Sequence, residues 1–173
     1  MRNFDYQTPT RLIFGKGVVE KKLKSVMAKF GKRVLITYGG GSIKRSGLYD
    51  LVLQILEDKE MYELPGIEPN PKFNPSVLDG VRICKEKDID VILAVGGGSV
   101  LDCTKAIAGA ACSDADPWDI VTGKAPTLKA IPIVDIITLA ATGSEYDSGG
   151  VISRTETNAK LAYFSPLAFH AVS

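Results

Sequence analysis

The residues with chemical potential in this chain gather at its glycines. In VILAVGGGSVLDCTKA, an apolar run meets Gly96-Gly97-Gly98-Ser99 and a helix-like run follows. Free backbone N–H groups at a helix N-terminus attract anions, and glycine lets a phosphate approach without a clashing Cβ. The same string has a plainer use as a tight strand-to-helix turn. Ser99 and Asp102 are spaced as a capping box, which needs no ligand. A Walker loop, G-x-x-x-x-G-K-[ST], occurs nowhere in the chain. The fingerprint G-x-G-x-x-G fails here because its third glycine falls at Leu101, and it fails from Gly39 because it falls at Lys44. The turn is therefore a glycine-rich anion turn of a different kind.

Two other segments repeat the theme. Arg33–Tyr38 is followed by Gly39-Gly40-Gly41-Ser42 and then by Lys44 and Arg45. Nicotinamide folds usually place an acid after such a strand to bond the ribose 2′-OH. None stands here, and a small, donor-rich, locally positive turn has room for a 2′-phosphate. The competing reading is a solvated loop with two basic residues. Thr138-Leu139-Ala140-Ala141-Thr142-Gly143-Ser144-Glu145 again follows a strand-like run, with Thr142 and Glu145 at capping-box spacing. Its hydroxyls and backbone donors could instead face a ligand lying across several strand ends.

These turns need strands before them and helices after them, and the pattern supplies both. Arg33–Tyr38, Met61–Leu64, Asp90–Val95 and part of Ile131–Ala140 read as strands. Gly47–Glu60, Pro75–Lys87 and Ser99–Cys112 carry helical stripes. Asp90–Val95 is apolar on both faces, which suits a parallel strand covered on both sides. DPWDIVTGKAPTLKA reads mostly as loop, and Leu161–Val172 is mixed. The alternation predicts an α/β, Rossmann-like layered fold with a largely parallel sheet, and ligands in such sheets bind at the strand ends. No repeat or linker divides the chain.

Composition bounds the rest. The 173 residues suffice for one domain, and a net charge of +1 gives no footprint for nucleic acid or an acidic membrane. No apolar run approaches a membrane span, and the N-terminal segment lacks a signal-peptide core, so a cytoplasmic location is expected. Cys84, Cys103 and Cys112 are odd in number and lack metal-ligand spacing, which favours a reducing compartment. Cys84 and Cys103 read as small buried hydrophobes. His170, alone, cannot build a metal site.

Taken together, YGGGSIKRSG, IEPNP, VGGGSVLDCTK, DPWD and TLAATGSE resemble the iron-containing (group III) alcohol dehydrogenases, and most the NADPH-dependent butanol dehydrogenase or aldehyde reductase branch. The five strings in this order are specific where GGGS alone is not. The resemblance implies a dehydroquinate synthase-like N-terminal domain over 1–173. It implies a pyrophosphate turn at Gly96, Gly97, Gly98 and Ser99, and an acidic position by the cofactor at Asp102. It implies a cofactor-lining segment at Thr138 and Leu139, the P-N-P loop asparagine at Asn70, and a nicotinamide-end lysine at Lys160. Gly39, where NAD users carry aspartate, resembles NADP users, with Gly40 and Ser42 near the 2′-phosphate. The expected cofactor is thus NADP(H) rather than NAD.

Two departures stand out. Asp147 occupies a position where the family often has asparagine. The helical second half of the family, which supplies an aspartate and three histidines to iron or zinc, is absent from the sequence given. His170 matches none of these ligands. The expectation is the cofactor-binding half of an enzyme interconverting alcohols and aldehydes, inactive alone. The alternative is a nucleotide-binding module completed by a partner chain, and a homo-oligomer is a further expectation. Dehydroquinate synthase and glycerol dehydrogenase share the glycine turn, but the turn at Gly39 argues against both.

Overall fold

A computed structural model describes residues 8–173. Four parallel strands, β1 (Arg33–Tyr38), β2 (Glu60–Leu64), β3 (Val91–Gly96) and β4 (Ile133–Ile137), form a sheet in the order β2-β1-β3-β4. Every residue of β3 is buried, as expected for a strand covered on both faces. Alternate side chains serve different layers because successive Cβ atoms point to opposite faces. Val91, Leu93 and Val95 pack with α1 (Val18–Met27) and with α3 (Leu48–Ile55), which follows the short α2 (Ser42–Arg45), through Leu23, Val26, Met27 and Val52. Ile92 and Ala94 pack with α4 (Leu78–Glu86) and α5 (Gly98–Ala111), through Val81, Cys84, Leu101 and Ile107. Each large aliphatic side chain so buried contributes roughly 1.5–3 kcal/mol.

The expected strands and central helices are present, and the boundaries that differ have local causes. The helix expected over Gly47–Glu60 ends at Ile55, and Glu60 already belongs to β2. Lys59 explains the early stop. Its ammonium donates to the carbonyls of Met27, Phe30 and Gly31, which draws the chain across the C-terminal end of α1. The expected loop at DPWD contains a short helix, α6 (Pro117–Val121). Asp116 accepts from the Trp118 amide at 2.7 Å and proline takes the first turn, where its missing N–H costs nothing. The chain after Gly149 forms a hairpin, β5 (Gly149–Arg154) antiparallel to β6 (Ala159–Phe164), and β6 takes up only the start of the mixed tract Leu161–Val172. Arg154 stacks over Phe73 and Trp118, which ties the hairpin to α6.

Beyond β4 the sheet gains two short pieces. Ala171 donates to the Ile133 carbonyl and the Asp135 amide donates to the Val172 carbonyl. On its other side this segment exchanges backbone bonds with Arg11 and Ile13. His170 is buried here and bonds Asp135 through Nδ1, while Ser173 Oγ donates to the other Asp135 oxygen at 2.9 Å. The histidine is a structural partner of Asp135. Cys84 and Cys103 are buried, and burial pushes the Cys84 thiol up to about 12.

One buried polar contact joins β1 to α5: the hydroxyls of Thr37 and Thr104 lie 2.7 Å apart, both fully buried. Thr104→Val leaves the Thr37 hydroxyl without its partner and should cost about 1–3 kcal/mol. Thr37→Val with Thr104→Val should recover most of that loss, as read from denaturant midpoints.

Candidate functional site

The register of the sheet decides where the glycine segments meet. Tyr38 pairs with Val95, and Gly96 pairs with Ile137. Gly39 therefore follows at the level of Gly96 and Ile137, and Gly40, Gly97 and Thr138 leave the three neighbouring strands at the next level, where the Thr138 amide donates to the Gly96 carbonyl at 2.9 Å. Gly39, Gly96–Ser99 and Thr138–Leu139 come together at the carboxyl edge of the sheet, as in open α/β sheets that bind ligands there.

The glycines at this edge divide into two kinds. A Cβ on Gly96 would stand 2.6 Å from Val100 Cγ2, and one on Gly98 would stand 2.8 Å from Thr142 Oγ1. Those two glycines serve the protein's own packing. A Cβ on Gly97 would meet Leu139 Cβ only at 3.7 Å, and one on Gly40 would meet nothing within 4 Å. Gly40 and Gly97 are thus the places where a ligand could lie against the backbone. Gly97 caps the 14-residue α5, and among the described residues no side chain bonds the amides that open it.

This geometry corrects both capping boxes. The helix starts at Gly98, so Ser99 lies inside it and not at the cap. Asp102, one turn on, points to the hairpin: it accepts from Ser144 Oγ at 2.7 Å and from the Val151 amide at 2.9 Å. Thr142 and Glu145 open no α-helix. Gly143 takes a left-handed φ of 78° and is followed by a single 3-10 turn, Ser144–Tyr146, that delivers Ser144 to Asp102.

Lys105 holds this part of the site together. It is fully buried, and its ammonium bonds the Ser144 carbonyl, Ser144 Oγ, the Gly149 carbonyl and Asp147 Oδ1, the last at 2.6 Å. Asp147 Oδ1 also accepts from the Gly149 amide. The Asp147 carboxylate is therefore the counter-ion of a buried lysine. The sequence reading missed Lys105, although a signal existed: it is the only charge between Asp102 and Cys112 in a helix of small and apolar residues. Asn70 and Lys160 lie apart from the glycine edge in sequence but bond each other, Nζ to Oδ1 at 2.7 Å, with Asn70 at a left-handed φ of 54°. The hairpin connects this pair to α5, because a Cβ on Gly150 would stand 3.1 Å from Asp102 Cα.

At the Gly39 turn the structure supplies the acid that the sequence lacks. Glu63, at the end of the neighbouring β2, accepts from Tyr38 Oη at 2.6 Å and from Tyr49 Oη. Lys44 lies 3.9 Å from Glu63 and 4.3 Å from the Tyr49 ring centre. One of the two basic residues of this locally positive turn is thus already paired. Burial pushes the Glu63 carboxyl up, but the two phenols and Lys44 together hold it below its ordinary value of 4.5. The bond to Glu63 pushes the Tyr49 phenol up to about 12.

An apolar cavity of about 400 Å³ lies beside this edge, between α1, Ile13–Gly15 and Val134–Ala140. It shares Thr138 and Leu139 with the site but not the glycines. Among the described residues, no three His, Cys, Asp or Glu side chains converge to hold a metal, and no helix is long and apolar enough to cross a membrane.

The family model for iron-containing alcohol dehydrogenase matches residues 9–173. The chain belongs to the iron-containing alcohol dehydrogenase family. It is 55% identical over 171 residues to a Bacillus subtilis protein named Probable NADH-dependent butanol dehydrogenase 1, covering 98% of this chain and 44% of that protein. It is 46% identical to the NADPH-dependent aldehyde reductase YqhD of Escherichia coli, covering 95% of this chain and 43% of that one. The crystal structure of NADH-dependent butanol dehydrogenase A from Thermotoga maritima superposes with a TM-score of 0.92 at 38% identity, covering all of this chain and 44% of that one. The chain thus spans less than half the length of these alcohol dehydrogenase relatives, whose names divide between NADH and NADPH.

Two outcomes test the site's physical chemistry. Lys105→Met leaves Asp147 and two carbonyls without their donor and should cost about 1–3 kcal/mol. Asp147→Asn keeps an oxygen for Lys105 and the Gly149 amide and should cost less; denaturant melts rank the two. Because the folded Glu63 carboxyl titrates below 4.5, its stabilisation is complete above that pH and is lost as pH falls through the folded value. The stability advantage of the wild type over Glu63→Gln should therefore shrink in melts taken well below pH 4.5.

Proposed function

We propose that residues 1–173 form the nucleotide-binding domain of an alcohol dehydrogenase, with a nicotinamide dinucleotide lying across the carboxyl edge of the sheet. The observation that carries this reading is the alignment of Gly39–Gly40, Gly96–Ser99 and Thr138–Leu139 at one level. Open backbone at Gly40 and Gly97, with the uncapped start of α5 beside it, suits a pyrophosphate. The bound dinucleotide supplies the hydride chemistry, interconverting an alcohol and an aldehyde. The chain's own residues bind and orient it. Gly97 and the first amides of α5 take the pyrophosphate, and Leu139 lies against the cofactor. Asn70 and Lys160 border its nicotinamide end. Asp102 and Lys105 fix the 143–151 segment so that the edge keeps its shape.

NADP(H) is the preferred coenzyme in this reading, in keeping with the name of the aldehyde reductase relative, with Gly39, Gly40 and Ser42 at the 2′-phosphate. The described residues do not fit a metal, so no step is assigned to one. Iron or zinc belongs to the part of the family's length that this chain does not span. As a separate polypeptide the 173 residues should bind dinucleotide without turnover, until the remainder is supplied in the same protein or by a partner chain. The setting is cytoplasmic.

Calorimetric titration of the purified chain with NADPH and NADH tests the reading. NADPH should bind more tightly than NADH, and absence of binding by a folded chain would overturn the proposal. Metal-dependent butanal reduction by these 173 residues alone would refute the expected lack of turnover. Exposed Phe14 and Phe164, at 93% and 77% accessibility, should drive self-association, visible in light scattering as a mass above the monomer.

A further inference from the structure

Two cations follow the glycine turn of β1, and the structure commits only one of them. We propose that Arg45, and not Lys44, recognises a phosphate on the 2′-position of a bound dinucleotide and so determines the choice between phosphorylated and unphosphorylated coenzyme. The inference rests on the dinucleotide reading above and names the residue that sets its specificity.

Lys44 is held by a frame that begins in the core. Tyr38, the last residue of β1, is 2% exposed, and its hydroxyl donates to Glu63 Oε2. Tyr49, from α3, donates to the other Glu63 oxygen. The Lys44 ammonium sits 3.9 Å from Glu63, 4.3 Å from the Tyr49 ring centre and 5.2 Å from that of Tyr38. Its charge faces a carboxylate that two phenols fix in place, and the half-exposed side chain also lies over both aromatic rings. Drawing Lys44 toward a ligand would strip Glu63 of its cation and forfeit both ring contacts.

Arg45 is placed differently. It is exposed, and among the described residues no carboxylate lies within ion-pair distance of it. Its side chain folds back over the turn, with Nη1 3.6 Å from where a Cβ on Gly41 would stand. Gly41 has a φ of 95°, so the position favours glycine for its backbone as well. The next glycine, Gly40, has nothing within 4 Å of its Cβ position. The guanidinium therefore borders open space at the carboxyl end of β1, where the adenosine end of a dinucleotide would lie. A planar guanidinium pairs with a phosphate through two parallel N–H···O bonds, which a ribose hydroxyl cannot match in charge or geometry.

The test is calorimetric titration of the wild type, Arg45→Ala, Arg45→Lys and Lys44→Ala with NADPH and with NADH. Near-UV circular dichroism confirms that each exposed substitution leaves the fold intact. Arg45→Ala should weaken NADPH binding about 10–100-fold, the loss expected for charge-assisted hydrogen bonds. It should leave NADH binding within about twofold, as for a site that the substitution does not touch. Arg45→Lys should fall between wild type and alanine for NADPH, because it keeps charge and loses the fork. Lys44→Ala should leave the NADPH-to-NADH ratio within about twofold. Unchanged NADPH affinity in Arg45→Ala, or collapse of the ratio in Lys44→Ala, would overturn the assignment while leaving dinucleotide binding standing. A wild type that binds NADH at least as tightly as NADPH would do the same. A folded wild type that binds neither overturns both this assignment and the dinucleotide reading.

Discussion

The register of β3 between β1 and β4 is the constraint on which the rest depends. β3 is buried on both faces and hydrogen-bonded on both edges, so it cannot slip without moving both hydrophobic layers at once. That register sets Gly40, Gly97 and Thr138 side by side, one residue beyond Gly39, Gly96 and Ile137. A slip of one residue would send Val91, Leu93 and Val95 toward α5 and Ile92 toward α1. The alignment of the three turns is thus maintained by the core and needs no ligand to hold it.

A polar lock works on the other side of the same edge. Asp102, Ser144, Lys105 and Asp147 join α5 to the segment leading into the hairpin, and the Lys105 ammonium is itself fully buried while its counter-ion Asp147 stays half exposed. A buried ammonium is tolerated only when its donors are satisfied, and here two carbonyls, a hydroxyl and a carboxylate satisfy it. The carboxylate at position 147 serves the lysine directly.

How much of this was legible in the sequence depended on how local each signal was. The buried strand Val91–Gly96 announced itself by its unbroken apolar run, and the glycines by their place at its end. The use of those glycines was only half legible. Gly96 and Gly98 answer to Val100 and Thr142, and only a structure shows which atoms a Cβ would strike. Ser99 and Asp102 had capping-box spacing, but a helix start shifted by one residue gave Asp102 other partners. The pairing of Lys44 was not legible because Glu63, its partner, lies on a different strand. The short helix after Asp116 was legible in Asp-Pro, a cap and first-turn pair, and was overlooked amid loop-like residues.

The segment Ala171–Ser173 lies between β4 and Arg11–Ile13, so one of the earliest parts of the described chain joins the sheet only through one of the last. On the ribosome, Arg11–Ile13 emerges with no strand to join, and the outer edge of β4 stays open until Val172 is available. Such contacts between distant parts of a chain form late and slow the final closure. During synthesis the open edge of β4 is the place where a nascent chain would pair with a neighbour, which makes the completion of this seam a matter of timing as well as of stability.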